Sequence, residues 1–376
     1  MNRNKKKLLF IITHLELGGA QKHLLDLVKG LDPGLYSLHL CTGDSGYLRQ
    51  EFLKVPHLKL IFMPSLVRQV RPLSDVVTFF KLFLFMKKNK FDIVHTHSPK
   101  ASLLGRWAAF FAGVPTIVYT VHGWSFHRFM NPFSFCLYLA LEKITARITD
   151  KIIVISRHDL DAGVKRRVAD KDKFSLVHCG VDVERFSRVF NERNNGAVDS
   201  KLIITVSSLK SQKGLVYFLK MASSLLEQAP DLKFVVVGDG PDRKEVIGQL
   251  NALGLEKRVH LAGWVDDVSA LMSKSAVLVL SSLWEGLPLS VIEAAIAGIP
   301  MVVTDTGGLR DVVSDHRNGI IVEIKDVKGL AASVAGILGG YEDWIRRINK
   351  YREELDVAYW SGQRAAKEID GIYQMS

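Results

Sequence analysis

Residues 277–304 read VLVLSSLWEGLPLSVIEAAIAGIPMVVT. Val277–Leu280 is a short, continuous, β-branched apolar run bounded by serines, which predicts a buried strand. A loop follows, and Pro288 suits the first turn of a helix, where its missing N–H would have no partner anyway. Met301–Thr304 then repeats the strand pattern. Strand, helix and strand make a βαβ unit, and strands without polar alternation belong to parallel sheets covered by helices on both faces.

The same alternation extends in both directions. Leu202–Val206, Phe234–Val237, Val259–Leu261 and Ile320–Ile324 are the other strand candidates of the second half. In the first half they are Leu8–Thr13, Leu38–Thr42, Leu58–Met63, Ile93–Thr96, Ile117–Val121, Ile152–Ile155 and Phe174–His178. Leu24, Leu27, Val28 and Leu31 recur at the spacing of one helix face. A chain of 376 residues exceeds one comfortable core. Two α/β units are expected: residues 1–190, a polar Asn-rich linker over 191–200, and residues 201–355, with residues 356–376 as a closing helix. Ligands of such sheets bind beyond the strands' carboxyl ends, so the expected site is the cleft between the two domains.

Composition narrows the class. Apolar residues make up 48% and charged residues 24%, which excludes disorder. Cys41, Cys136 and Cys179 have no metal-type spacing, and free thiols in a reducing compartment are the simple reading. The apolar run after Lys5–Lys7 is too short for a signal peptide, and the longest apolar stretch, Val76–Met86, contains Lys81. Net charge is +11, but residues 1–190 hold 29 Lys+Arg against 15 Asp+Glu while the remainder sums to −3. A basic first half suits an anionic surface or acceptor. No nucleic-acid recognition motif accompanies it, so no nucleic-acid partner is expected.

Several strand-end loops carry residues suited to an anionic, hydroxyl-rich ligand. Gly18 and Gly19 follow the first strand and open a helix, where backbone N–H groups can approach an anion. Neither the dinucleotide fingerprint nor a Walker lysine is present there. His122 lies just past Val121, and His95 and His97 share one face of their strand, as structural or substrate-contacting residues; no third ligand completes a metal site. Lys213 stands at a helix entrance after the Leu202–Val206 strand, as a point charge for a phosphate. Gly238 and Gly240 permit close backbone approach at another strand end. Glu285, in the loop, and Glu293, in the helix, can each accept two hydrogen bonds from sugar or ribose hydroxyls. Gly286, Leu287 and Pro288 lie between them, with exposed amides expected at Gly286 and Leu287.

Together these stretches resemble the retaining GT-B glycosyltransferases of family 4. The resemblance rests on EGLPLSVIEAAIAGIPMVVTDTGG, with glutamates at 285 and 293, and on the GGA loop, DIVHTHSPKASLLGR, GVPTIVYTVHG, SQKG and VVVGDGP. It spans nearly the whole chain, and the HTHSPKA and TVHGWSFH wording is similar to that of bacterial enzymes of capsule, O-antigen and other lipid-linked glycans. It implies two Rossmann-like domains, the last helices crossing back to the first. It also implies a nucleotide-sugar donor, with a UDP-sugar favoured, and a glycan or polyprenyl-linked sugar acceptor. In the family's pattern Glu285 meets the donor sugar, Glu293 the ribose, and Lys213 with the amides of Gly286 and Leu287 the departing diphosphate. Gly18 and Gly19 approach that diphosphate from the other domain, and His122 meets the sugar. Neither metal nor other cofactor is expected, and the protein is expected in the cytoplasm, peripheral at the inner face of the membrane.

Three positions depart from the family. Ser208 stands where members carry an arginine five residues before the lysine, with Lys210 the nearby candidate to replace it. Gln21 replaces a glutamate, and Asp311 stands where glutamate is common. The first departure motivates an alternative: a catalytically silent nucleotide- or glycan-binding subunit of the same fold.

Overall fold

The computed structural model describes residues 5–375. All thirteen anticipated strands are present. In the first unit they are β1 (Lys6–Ile11), β2 (Tyr36–Thr42), β3 (Leu58–Phe62), β4 (Ile93–His97), β5 (Thr116–Val121), β6 (Lys151–Val154) and β7 (Phe174–Leu176). The second has β8 (Asp199–Val206), β9 (Lys233–Val237), β10 (Val259–Gly263), β11 (Ser275–Leu280), β12 (Met301–Thr304) and β13 (Gly319–Val322). Their orders are β3-β2-β1-β4-β5-β6-β7 and β10-β9-β8-β11-β12-β13, with parallel pairing throughout. Each sheet reverses direction once, beside its own first strand, which is the doubly wound arrangement.

Strand alternation sorts the first unit's core into two layers. Leu8, Phe10 and Ile12 pack with Leu24, Leu27 and Val28 of the Gly19–Gly30 helix. Leu9 and Ile11 point the other way, toward Leu82 and Met86 of the Pro72–Asn89 helix and Ala101 and Ala108 of the Pro99–Ala112 helix. Proline opens both of these helices, and the second closes on Gly113 in the left-handed conformation. Cys41 and Cys179 are buried thiols and Cys136 is exposed.

The chain leaves the first unit at Gly180, ten residues before the expected boundary, and returns to it at Gly362. Residues 191–200 are not a free linker. Asp182 caps a helix over Val183–Glu192 by accepting from the Arg185 N–H, and β8 already begins at Asp199. Arg193 fixes this segment inside the second unit, its buried guanidinium donating to the carbonyls of Gly298, Met272 and Ser275. The closing helix, Gly362–Met375, packs on the Gly19–Gly30 helix so closely that a methyl on Gly30 would stand 2.6 Å from the Ala366 Cβ. Ala365, Ile369, Ile372 and Tyr373 join the first unit's core.

Candidate active site

In the second sheet the reversal lies between β8 and β11, and ligands of such sheets bind beyond the strand ends at this switch point. The loops leaving these two strands carry Lys213 and Glu285. They are tied together: the Leu283 N–H donates to the Gln212 carbonyl at 2.8 Å, and Gln212 Nε2 to the Trp284 carbonyl at 2.9 Å. Gly214, at φ +57°, lets them meet, since a Cβ there would stand 2.3 Å from the Ser281 carbonyl oxygen.

On this scaffold Lys213 Nζ donates to Glu285 Oε1 at 2.6 Å, and Ser282 Oγ donates to the same oxygen at 2.6 Å. Both donors fall on Oε1, which leaves Oε2 to accept from a ligand. Glu285 is only 8% exposed, so these two donors satisfy a carboxylate oxygen that water scarcely reaches. Its main chain is supported from β12: Thr304 Oγ1 donates to the Ser282 carbonyl, and the Gly308 N–H to that of Gly286. Gly307 is required here, because at φ +56° its Cβ would lie 2.4 Å from the Glu285 carbonyl oxygen.

The helix spans Leu289–Ile296 with Pro288 as its N-cap, one residue earlier than a first-turn position. Every residue of this helix is buried, Glu293 included. Gly286 and Leu287 are buried as residues too, and the Gly308 N–H donates to the Gly286 carbonyl. Gly238 and Gly240 lie beyond β9, where added Cβ atoms would approach the Ser207 and Leu209 carbonyl oxygens to 2.1 and 2.4 Å. Packing against the loop after β8 thus requires both, whatever ligand they also meet.

In the first sheet the reversal lies between β1 and β4. Ser98, just past β4, holds a positive φ of 64° and accepts from the Thr13 N–H across the switch point. Gly18 is the N-cap of the Gly19–Gly30 helix and has no side chain to satisfy its first N–H groups; Gly19 is exposed beside it. His122 is half-buried, and its Nε2 is hydrogen-bonded at 3.0 Å to Nδ1 of the fully buried His97. His95 bridges the Tyr373 hydroxyl and Thr120 Oγ1, and His23 stacks edge-on against His122 with ring centroids 5.4 Å apart. Burial holds His95, His97 and His122 well below the ordinary imidazole range, with neighbouring histidines adding to the effect. His23 is lowered to about 4, by burial first and the Arg364 charge second. No group of three metal-ligating side chains occurs among the described residues. Ser282, Gly307 and His23 were not singled out in the sequence; the serine's only signal is its place directly after a strand that ends in a carboxylate loop.

Two doubly wound sheets in series, the second with an ammonium–carboxylate pair at its switch point, are the build of a GT-B glycosyltransferase. Residues 17–185 match the family model described as Glycosyltransferase Family 4, and residues 187–354 the one described as Glycosyl transferases group 1. The chain is 33% identical over 329 residues to an Escherichia coli enzyme named UDP-Gal:alpha-D-GlcNAc-diphosphoundecaprenol alpha-1,3-galactosyltransferase, covering 84% of each chain. It therefore belongs to glycosyltransferase family 4. Its fold matches Anabaena HepE in complex with UDP and glucose, with a TM-score of 0.81 at 19% identity over 98% of this chain and 99% of that one. Sucrose-phosphate synthase from Thermosynechococcus elongatus gives 0.82 at 20% identity over 99% of both.

Proposed function

We propose that the protein is a retaining, metal-independent hexosyltransferase that moves a sugar from a UDP-sugar to a polyprenyl-diphosphate-linked sugar in bacterial surface-glycan assembly. The Lys213–Glu285 pair carries this reading. Cleaving a sugar–diphosphate bond builds negative charge on the leaving group, and a preorganised cation there lowers the barrier without a metal. Lys213 supplies that cation, Glu285 Oε2 receives the sugar's hydroxyls, and Glu293 receives the ribose. The amides of Gly286, Leu287, Gly18 and Gly19 serve the diphosphate, and His122 the sugar. The name of the Escherichia coli relative supports UDP-galactose as donor and a diphosphoundecaprenol-linked GlcNAc as acceptor. A screen of sugar nucleotides with that acceptor is expected to release UDP from UDP-galactose, undiminished by a chelator, and to give an α-linked product by NMR. Release from no sugar nucleotide would instead favour the silent binding subunit that Ser208 motivates.

The acceptor's lipid implies a membrane-facing surface, which we place on the first unit. Among the described residues no helix is long and apolar enough to cross a membrane. The Pro72–Asn89 helix nevertheless exposes Leu73, Val76, Phe80 and Leu84, with Leu73 87% accessible. Phe111 of the adjacent Pro99–Ala112 helix, itself exposed, meets Phe79 at 6.2 Å. Lys81, Lys87 and Lys88 share the first helix, so apolar side chains and cations occur together, as an anionic bilayer requires. Wild-type protein is expected to sediment with phosphatidylglycerol vesicles at low salt, and Phe80→Asp with Leu84→Asp to abolish this. Wild-type protein left in the supernatant would refute the membrane assignment.

A further inference from the structure

The His97–His122 contact fixes more than a distance. His97 ends β4, in register with Thr120 of β5, and His122 is the residue immediately beyond that strand. The two rings lie nearly parallel, with centroids 5.3 Å apart and His97 Nδ1 3.0 Å from His122 Nε2. Phe10 and His95 enclose His97 further, at 6.1 and 4.3 Å between ring centroids, and it has no solvent exposure.

Each neutral imidazole carries one N–H and one bare nitrogen, so one of the two facing nitrogens must donate. If His122 Nε2 donated, the single proton of His97 would sit on its own Nε2. That atom is buried and has no hydrogen-bond partner. An N–H sealed away from water without an acceptor is among the rarest states in a folded protein, whereas a bare acceptor nitrogen is better tolerated. The proton of the contact therefore belongs to His97 Nδ1, and His122 Nε2 accepts it. A doubly protonated ring fails on the same ground: a His97 imidazolium would bury a second N–H at Nε2 without an acceptor, and a His122 imidazolium donating from Nε2 would again leave the His97 proton there.

We infer that His97 is a positioning residue: by donating from Nδ1 it holds His122 as the Nδ1–H tautomer, so that His122 presents a neutral N–H donor to an oxygen of the sugar substrate. This rests on the proposed placement of His122 at the donor sugar. The consequence is specific to orientation. His122 gives a hydrogen bond to a sugar oxygen and does not abstract a proton, because its only basic nitrogen is already occupied by His97.

Imidazole nitrogen NMR of the full-length protein tests the tautomer independently of activity. In wild type, His122 is expected to show a proton on Nδ1 and a bare Nε2. His97→Asn places an amide N–H close to the position of the lost Nδ1–H and is expected to keep both this signature and turnover. His97→Leu removes the donor. It is expected to move the His122 proton toward Nε2 and to lower kcat/KM for the nucleotide-sugar by about tenfold, the worth of one hydrogen bond. A proton on His122 Nε2 in wild type would overturn the inference, as would a leucine variant with unchanged tautomer and rate. Should the leucine variant not fold, the wild-type and asparagine spectra still decide. Should no sugar nucleotide be turned over at all, the functional reading fails, and the tautomer still reports on His97.

Discussion

Glu285→Ala is expected to lower UDP release by about a hundred- to a thousandfold, the usual cost of removing one preorganised group from a charge-stabilising site. The argument begins with the resting contact. Glu285 Oε1 is held by Lys213 and Ser282, so the carboxylate is fixed in place before any ligand arrives. Truncation loses the hydroxyl acceptor and also frees Lys213 to wander, because nothing then anchors its ammonium. Lys213 keeps some access to water, with 16% of its side chain exposed, so the unpaired cation can hydrate and the unit should still fold. Glu285→Gln separates the two losses: the amide oxygen can still accept from Ser282, but the charge that orients Lys213 is gone. Both variants are checked by nucleotide release alongside circular dichroism. An unchanged rate in a folded Glu285→Ala protein would remove this carboxylate from the mechanism.

The second large effect is on stability. His23 is held at about 4 in the folded chain, against 6.5 ordinarily, so between these values the unfolded chain binds more protons. Stability is therefore complete above 6.5 and falls as the pH drops toward 4. His23 alone accounts for about 3 kcal/mol across the whole window. His95 and His97, which have no solvent exposure, are displaced in the same direction and add to the fall. Urea midpoints followed by tryptophan fluorescence should decline from about pH 7.5 to about pH 5.5, a range in which ordinary carboxylates stay ionised. His23→Leu should flatten part of that slope. A midpoint constant across the range would show that these imidazoles are not sealed from water.

The strands were legible because parallel strands buried on both faces leave continuous β-branched runs, as in Val277–Leu280 and Met301–Thr304, that solvent-facing segments cannot imitate. The boundary at Gly180 was not. Asn191–Ser200 has the composition of a linker, yet Arg193 buries itself among carbonyls more than seventy residues away, and no local pattern announces such a contact. The carboxylates were legible as polar intrusions in an apolar segment. What surrounds Glu285 was less so, since Ser282 and Gly307 are ordinary loop residues until β11 and β12 bring them together. The apolar face of the Pro72–Asn89 helix was ambiguous for a related reason: its sequence is apolar nearly all round, and only the fold determines which side remains uncovered.

The closing helix has a consequence for the order in which the chain can fold. Ordinarily a leading domain can fold while the ribosome is still making the next one. Here the leading unit lacks Ala365, Ile369, Ile372 and Tyr373 until translation has passed the entire second unit. The seat on the Gly19–Gly30 helix, and the hydrogen bond that Tyr373 makes with His95, stay open throughout that interval. The second unit, formed by residues 181–361 without interruption, can therefore mature first, and the unit synthesised first is completed last.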